Sequence, residues 1–288
     1  MTTTYLERLA ERSAATGTVL CLGLDPDPAS LPDGFGGDLA GLERFATLVL
    51  EAATPVVAAV KPNLAFFEAY GSAGMAALER LRARVPSDVP FIADAKRGDI
   101  GSTAARQAAA LFDALGADAV TVNPYLGAEA VAPLLERADR FAYLLCRTSN
   151  PGAGMLQDLV VAPDPAVDGP SEPLHARVAR LATGWGPGGT VGLVVGATAP
   201  AELAAIREIA PGLAFLVPGV GAQGGAVEPV LAAGAATVAP AGGRPGGGLL
   251  VNVSRGIAGA AMGHAPGDPF ERVAAAASDW ARRLPVLP

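Results

Sequence analysis

Short apolar runs return eight times along the chain, at 18–24, 56–60, 91–93, 119–122, 142–145, 191–195, 213–217 and 249–253. The gaps between them hold alanine-rich stretches with apolar residues at helical spacing, at 42–53, 74–84, 102–115, 128–135, 171–182, 199–209 and 225–233. Strand and helix alternating eight times predicts an α/β protein of the (β/α)8 TIM barrel type. An open doubly wound sheet is the alternative, but no Gly-x-Gly-x-x-Gly opens a first helix. The 288 residues carry no linker, so a single barrel domain over 1–288 is expected. Two Gly/Pro-rich stretches, 150–170 and 240–248, exceed a minimal barrel and are expected as insertions on its loop face.

Composition narrows the function classes. Hydrophobic residues make up 51%, yet the longest uncharged stretch, 181–201, contains Gly184, Gly186, Pro187, Gly188, Gly189 and Pro200, which a membrane-spanning helix does not tolerate. The N-terminus lacks the basic region and apolar core of a signal peptide, which points to the cytoplasm. A net charge of -7 argues against nucleic acid or an anionic membrane as partner, so an anionic ligand must be held by local cations. Cys21 and Cys146 lie inside apolar runs and read as free buried thiols. With only His175 and His264, a histidine metal cluster has too few ligands, and both are expected at the surface, one on a helix and one in a loop.

Barrels of this kind gather chemistry at the C-terminal ends of their strands. There the chain places Asp25, Lys61 and Asn63, Asn123, Arg147 to Asn150, a glycine-rich 218–225 stretch with Gln223, and Ser254-Arg255-Gly256. Singly, each has an ordinary explanation: Asp25 before Pro26 suits a turn, and so does a glycine-rich loop. Together they form one polar rim. Gly219, Gly221, Gly224 and Gly225 let backbone amides approach an anion, Gln223 adds a donor, and Arg255 offers a planar fork for phosphate oxygens.

The densest chemistry lies at 90–103, where an apolar run ends in Asp94, Lys96 and Asp99. On a strand, Asp94 and Lys96 point to the same side. A salt bridge closing the strand end is the plain reading. Three alternating charges at the end of a buried strand are costly unless something uses their field.

These residues resemble the orotidine 5'-phosphate decarboxylase family. The similarity runs through Leu-Asp25, Val-Lys61, Asp94-x-Lys96-x-x-Asp99-Ile100-x-x-Thr103, Ser149-Asn-Pro-Gly, Pro218-Gly-Val-Gly-Ala-Gln223 and Ser-Arg255-Gly256, in the family's order. Arg97-Gly98, Lys61-Pro-Asn and the extra length after Ser149 resemble its longer bacterial subfamily, type 2. The resemblance implies that Asp25 and Lys61 bind a ribose and join a charge network with Asp94, Lys96 and Asp99. It implies that Ser149 bonds the pyrimidine, that Gln223 and Arg255 hold the phosphate with Pro218 and Gly256 also binding substrate, and that Lys96 protonates C6 as CO2 leaves orotidine 5'-monophosphate. It further implies no metal, flavin or pyridoxal, and a homodimer in which Asp99, Ile100 and Thr103 enter the partner's site. Asp99 capping its own helix is the simpler reading of that residue.

Two other functions share these features. One is a Mg-dependent sugar-phosphate decarboxylase or aldolase of the same barrel group; Ser149-Asn-Pro-Gly with Lys61 suits a nucleotide better. The other is a non-catalytic nucleotide-phosphate binding protein, against which the intact charge network argues.

Overall fold

The structure, a computed structural model, describes residues 3–163, 171–262 and 266–287. Eight parallel strands form it: β1 (Leu20–Leu24), β2 (Ala59–Pro62), β3 (Ile92–Arg97), β4 (Ala119–Val122), β5 (Phe141–Arg147), β6 (Val191–Val195), β7 (Ala214–Pro218) and β8 (Leu250–Val253). Each expected apolar run carries one of them. The sheet order is β2-β1-β8-β7-β6-β5-β4-β3, and bridges Val60 to Phe91 and Asn63 to Asp94 bring β3 back to β2, closing a (β/α)8 barrel. That seam is thinly bonded for a covalent reason. Val60 N donates to Pro90 O (2.9 Å) and Leu64 N to Asp94 O (3.2 Å), while Pro62 between them has no N–H to give.

Among the described residues nine main helices accompany the strands: α1 (Tyr5–Thr16), α2 (Leu39–Ala53), α3 (Gly71–Arg84), α4 (Gly101–Ala108), α5 (Ala128–Leu135), α6 (Leu174–Ala182), α7 (Pro200–Ile209), α8 (Val227–Ala233) and α9 (Pro269–Arg283). The periodicity reading found α2 to α8 and missed both terminal helices. A local signal for α1 was present. Thr4 and Glu7 form a reciprocal capping box, with Thr4 N donating to Glu7 Oε2 at 2.7 Å and Glu7 N to Thr4 Oγ1 at 3.3 Å. Asp268 caps α9, with Pro269 at its first turn.

Inward positions recur every second residue and change character along the barrel axis. The lower layer is apolar and includes Cys21, Ala59, Ile92, Ala119, Phe141 and Leu250. Helix α1 plugs this end: Tyr5 is fully buried, stacks on Phe141 (centroids 4.7 Å apart), and its hydroxyl meets that of Tyr143 at 3.1 Å. One step up the strands come Lys61, Asp94, Thr121 and Asn252, which line a cavity. The floor is therefore closed and apolar, and the polar groups open upward.

Two expectations are corrected here. The 240–248 stretch does not lie on the loop face. It leads from a helix into β8 and so arrives at the barrel's N-terminal end, where Gly246 N donates to Leu287 O (3.0 Å) and Ala241 packs in the Tyr5 cluster. The 150–170 stretch follows β5 and does lie on the loop face, although 164–170, like His264, falls outside the described residues. Its described part forms the short helix Gly154–Gln157 and a two-residue strand Val160–Val161 paired antiparallel with Glu172–Pro173. This segment covers α6, so His175 is buried at 6% exposure instead of facing solvent, with Nδ1 2.9 Å from Gln157 O. Cys21 and Cys146 are free and buried, as expected.

The Tyr5–Tyr143 pair yields a test of the plug. Tyr143→Phe leaves the buried Tyr5 hydroxyl without its partner and should cost about 1–3 kcal/mol. The double variant Tyr5→Phe/Tyr143→Phe removes the orphan, and urea denaturation should find it no less stable than the single variant.

Candidate active site

The site is built around one carboxylate. Asp94 Oδ2 accepts from Lys61 Nζ at 2.6 Å, and Asp94 Oδ1 accepts from Lys96 Nζ at 2.6 Å and from Thr121 Oγ1 at 2.8 Å. Lys61 is 4% exposed. The Lys96 side chain is 49% exposed and faces the cavity. Burial by itself would raise the Asp94 carboxyl, but the two ammonium groups outweigh it and hold the group well below the usual carboxylate range. Burial would likewise lower Lys61, and the charges of Asp94 and Asp25 reverse that and hold it above the ordinary lysine value.

Alternation does bring Asp94 and Lys96 together, but not along a regular strand. Lys96 has φ 48°, the one non-glycine with positive φ among the described residues, where the β3–β4 register shifts. Thr121 stabilises the distortion: its hydroxyl accepts from Lys96 N (3.0 Å) while donating to Asp94. Sequence reasoning missed Thr121, although it occupies the inward position between Ala119 and Asn123. The left-handed residue is Lys96, and Gly98 is needed for space, since a Cβ there would stand 2.7 Å from Asn123 O.

The cavity above this network measures about 430 Å³ and also receives Asp25, Ser149, Pro218 and Gln223. Gln157, from the insertion, reaches the same wall. Its Oε1 accepts from Thr148 N (2.8 Å) and its Nε2 donates to Thr148 Oγ1 (2.9 Å), which steadies the turn that carries Ser149. Asp158 beside it pairs with Arg147 at 2.9 Å. Arg147 is thus engaged with the insertion.

A recess of about 70 Å³ adjoins the cavity, walled by the 218–223 loop and by Ser254, Arg255 and Gly256. Asp25, Pro218, Gln223 and Asn252 border both spaces. Arg255 and Gln223 are exposed and so open to a ligand. Trp280 of α9 supports the recess from below: its Nε1 donates to Gly256 O (3.2 Å), and a Cβ at Gly256 would come within 2.7 Å of that nitrogen. Neither Trp280 nor its helix was singled out from the sequence.

Asp99, Ile100 and Thr103 are not brought into this cavity. Ile100 is 62% exposed, and Asp99 Oδ1 accepts only from the adjacent Ile100 N, at 2.8 Å. Helix α4 has no side-chain cap at its start. The helix-capping reading of Asp99 is therefore not what the structure shows.

Fold and site together define a class: a (β/α)8 barrel that sets a buried lysine–carboxylate network beside a glycine-rich, arginine-bearing recess. Comparison with known proteins narrows it. The sequence profile described as "Orotidine 5'-phosphate decarboxylase / HUMPS family" matches residues 18–265, and the chain belongs to that family. Relatives named orotidine 5'-phosphate decarboxylase include one from Herpetosiphon aurantiacus, 46% identical over 273 residues, covering 94% of this chain and 96% of that protein. Another, from Roseiflexus castenholzii, is 49% identical over 254 residues and 88% of each chain. The solved Leishmania donovani OMP decarboxylase superposes with a TM-score of 0.79 at 37% identity, over 97% of each chain. No helix among the described residues is long and apolar enough to cross a membrane.

Asp94→Asn tests the network. It leaves the buried Lys61 charge without its main partner and should cost about 3–5 kcal/mol. Because the folded-state carboxyl lies below its ordinary 3.8, its stabilisation is complete above that value and is lost as pH falls. Unfolding free energies of wild type and variant should therefore differ by a constant amount from about pH 5 to 8 and converge in acid. A gap that persisted undiminished at low pH would show that the Asp94 charge is not its source.

Proposed function

We infer that the chain is a carboxy-lyase that converts orotidine 5'-monophosphate to UMP and CO2, the last step of pyrimidine nucleotide synthesis, as a single-domain cytoplasmic enzyme. The observation that carries this reading is Asp94 held between Lys61 and Lys96 at the foot of a nucleotide-sized cavity that continues into an anion recess. Relatives sharing nearly half of the sequence carry that activity in their names.

The chemistry follows from charge. Loss of CO2 from C6 leaves an electron pair in the ring plane with no adjacent electron sink, so stabilisation must come from a fixed positive group nearby. Lys96 is that group in our reading. It supplies the charge and then the proton that forms the C6–H bond. Asp94 cannot retreat from the substrate carboxylate, because two ammonium groups and Thr121 hold it. Its charge disfavours the bound carboxylate and not the neutral CO2 that departs. Lys61 Nζ stands 2.6 Å from Asp94 and serves as its counter-charge. No cofactor enters the proposed route.

Asp25 and Lys61 are assigned to the ribose, Ser149 to the pyrimidine, and Pro218, Gln223, Arg255 and Gly256 to the phosphate. The phosphate lies away from C6, so its binding energy is available for ordering the loops over the base. Asp99, Ile100 and Thr103 are assigned to the site of a second copy. In support, they lie outside their own cavity, and the apolar Ile100 is 62% exposed.

The activity is tested by the fall in absorbance on adding orotidine 5'-monophosphate with excess EDTA present; no turnover, or turnover that EDTA abolishes, overturns the reading. Lys96→Ala should lose more than the roughly 10²- to 10⁴-fold attached to general acid catalysis, while UMP binding largely survives. A variant within tenfold of wild type would remove Lys96 from the mechanism.

The shared site has its own test. Lys96→Ala and Asp99→Ala, each inactive, are mixed and allowed to exchange subunits. A heterodimer then has one site with both defects and one with neither, so a statistical mixture should recover up to about a quarter of wild-type activity. Demonstrated exchange with no recovery would place Asp99 in its own subunit's site.

A further inference from the structure

Two oxygens in the cavity wall are buried and have no donor among the described residues, Asp25 Oδ1 and Asn252 Oδ1. Asp25 already has an assignment. Asn252 has none, and its surroundings are unusual for a barrel interior. It occupies the inward position of β8 between Leu250 and Ser254, is 9% exposed, and borders both the main cavity and the anion recess.

The neighbouring strand leaves it uncovered. Cys21 on β1 is its register partner, and at the next inward position up that strand stands Gly23, where a Cβ would lie 2.8 Å from Asn252 Nδ2 and 3.0 Å from its Oδ1. The absence of a side chain at position 23 thus makes room for the amide and withholds any β1 side chain that could bond it. A buried amide oxygen without a donor is a destabilising feature that folded proteins seldom keep unless water or a ligand satisfies it.

The position of Asn252 says which donor. It lies where the cavity holding Lys61, Asp94 and Ser149 meets the recess holding Arg255. In a nucleotide with its base in the first and its phosphate in the second, the part at the junction is the ribose. Ribose hydroxyls are neutral donors that suit an amide oxygen, whereas phosphate oxygens only accept. We propose that Asn252 is a substrate-binding residue that accepts a hydrogen bond from a ribose hydroxyl, so that this face of the sugar is read from β8 together with Asp25 just after β1. The proposal rests on the nucleotide reading above and adds a specificity-determining residue to it.

The experiment is a double-mutant cycle with ligand atoms as one arm. Dissociation constants for UMP, 2'-deoxy-UMP, 3'-deoxy-UMP and uridine are measured by calorimetry on wild type and Asn252→Leu, a change of similar volume that removes both amide atoms. UMP should bind the variant about threefold to tenfold more weakly. With the deoxynucleotide that lacks the bonded hydroxyl, wild type and variant should agree within about twofold, because the interaction is already gone. An equal loss with all four ligands, no loss with UMP, or a loss that disappears only with uridine would overturn the assignment; the last would mean that the amide serves the phosphate. If circular dichroism shows Asn252→Leu to be misfolded, Asn252→Ala enters the same cycle. Wild type that failed to bind UMP would overturn the nucleotide reading itself, whereas wild type that binds UMP while the cycle shows no coupling removes Asn252 alone.

Discussion

Asp94 is bonded by three donors at once, Lys61 and Thr121 from within the barrel and Lys96 from its rim, and most of the upper barrel is arranged to keep it so. A buried lysine and carboxylate are each expensive to dehydrate, and their mutual attraction offsets that only when the geometry is good and spare lone pairs are filled. Here both carboxylate oxygens are used, one of them twice. The result is a rigid negative charge with one half-exposed ammonium group poised over the cavity. For a reaction that must stabilise an electron pair with no cofactor in the proposed route, that pre-set field is the relevant asset, because nothing has to reorganise as charge develops.

Rigidity at this spot is supplied from a distance. The apolar lower layer, closed by Tyr5 of α1 against Phe141 and Tyr143, packs beneath the lysine. The adjoining recess depends on Trp280, whose indole fills the space that a side chain at Gly256 would need and bonds that residue's carbonyl. Both supports come from terminal helices, α1 ahead of β1 and α9 after β8. The insertion after β5 works similarly: Gln157 clamps Thr148, and Asp158 holds Arg147, so the turn carrying Ser149 is fixed from the outside.

The barrel seam illustrates how a local covalent constraint meets this scheme. Pro62 takes one hydrogen bond out of the β2–β3 ladder, beside Lys61 on one strand and Asp94 on the other. Their ion pair crosses the same gap at 2.6 Å and joins the two strands where the backbone does not.

By itself the sequence determined the barrel, because short continuous apolar runs alternating with period-3.6 segments eight times admit few other closed arrangements. It also determined the composition of the rim: Asp25, Lys61, Asp94, Lys96, Ser149, Pro218, Gln223, Arg255 and Gly256 do gather around one cavity and its recess, since strand ends in a parallel barrel all face the same way. Tertiary structure decided what depends on contacts between distant segments. Thr121 and Asn252 are ordinary residues in their own strands and become significant only through what stands beside them, Asp94 in one case and the bare Gly23 in the other. His175 looked like a surface helix residue because its burial comes from a segment that folds back over α6. The 240–248 stretch looked like a catalytic-face loop because glycine and proline content reveals a turn but not the end of the barrel at which it sits. The positive φ of Lys96 was hidden for the same reason: propensity favours an extended lysine there, and it is the bond from its N–H to Thr121, on another strand, that holds it otherwise.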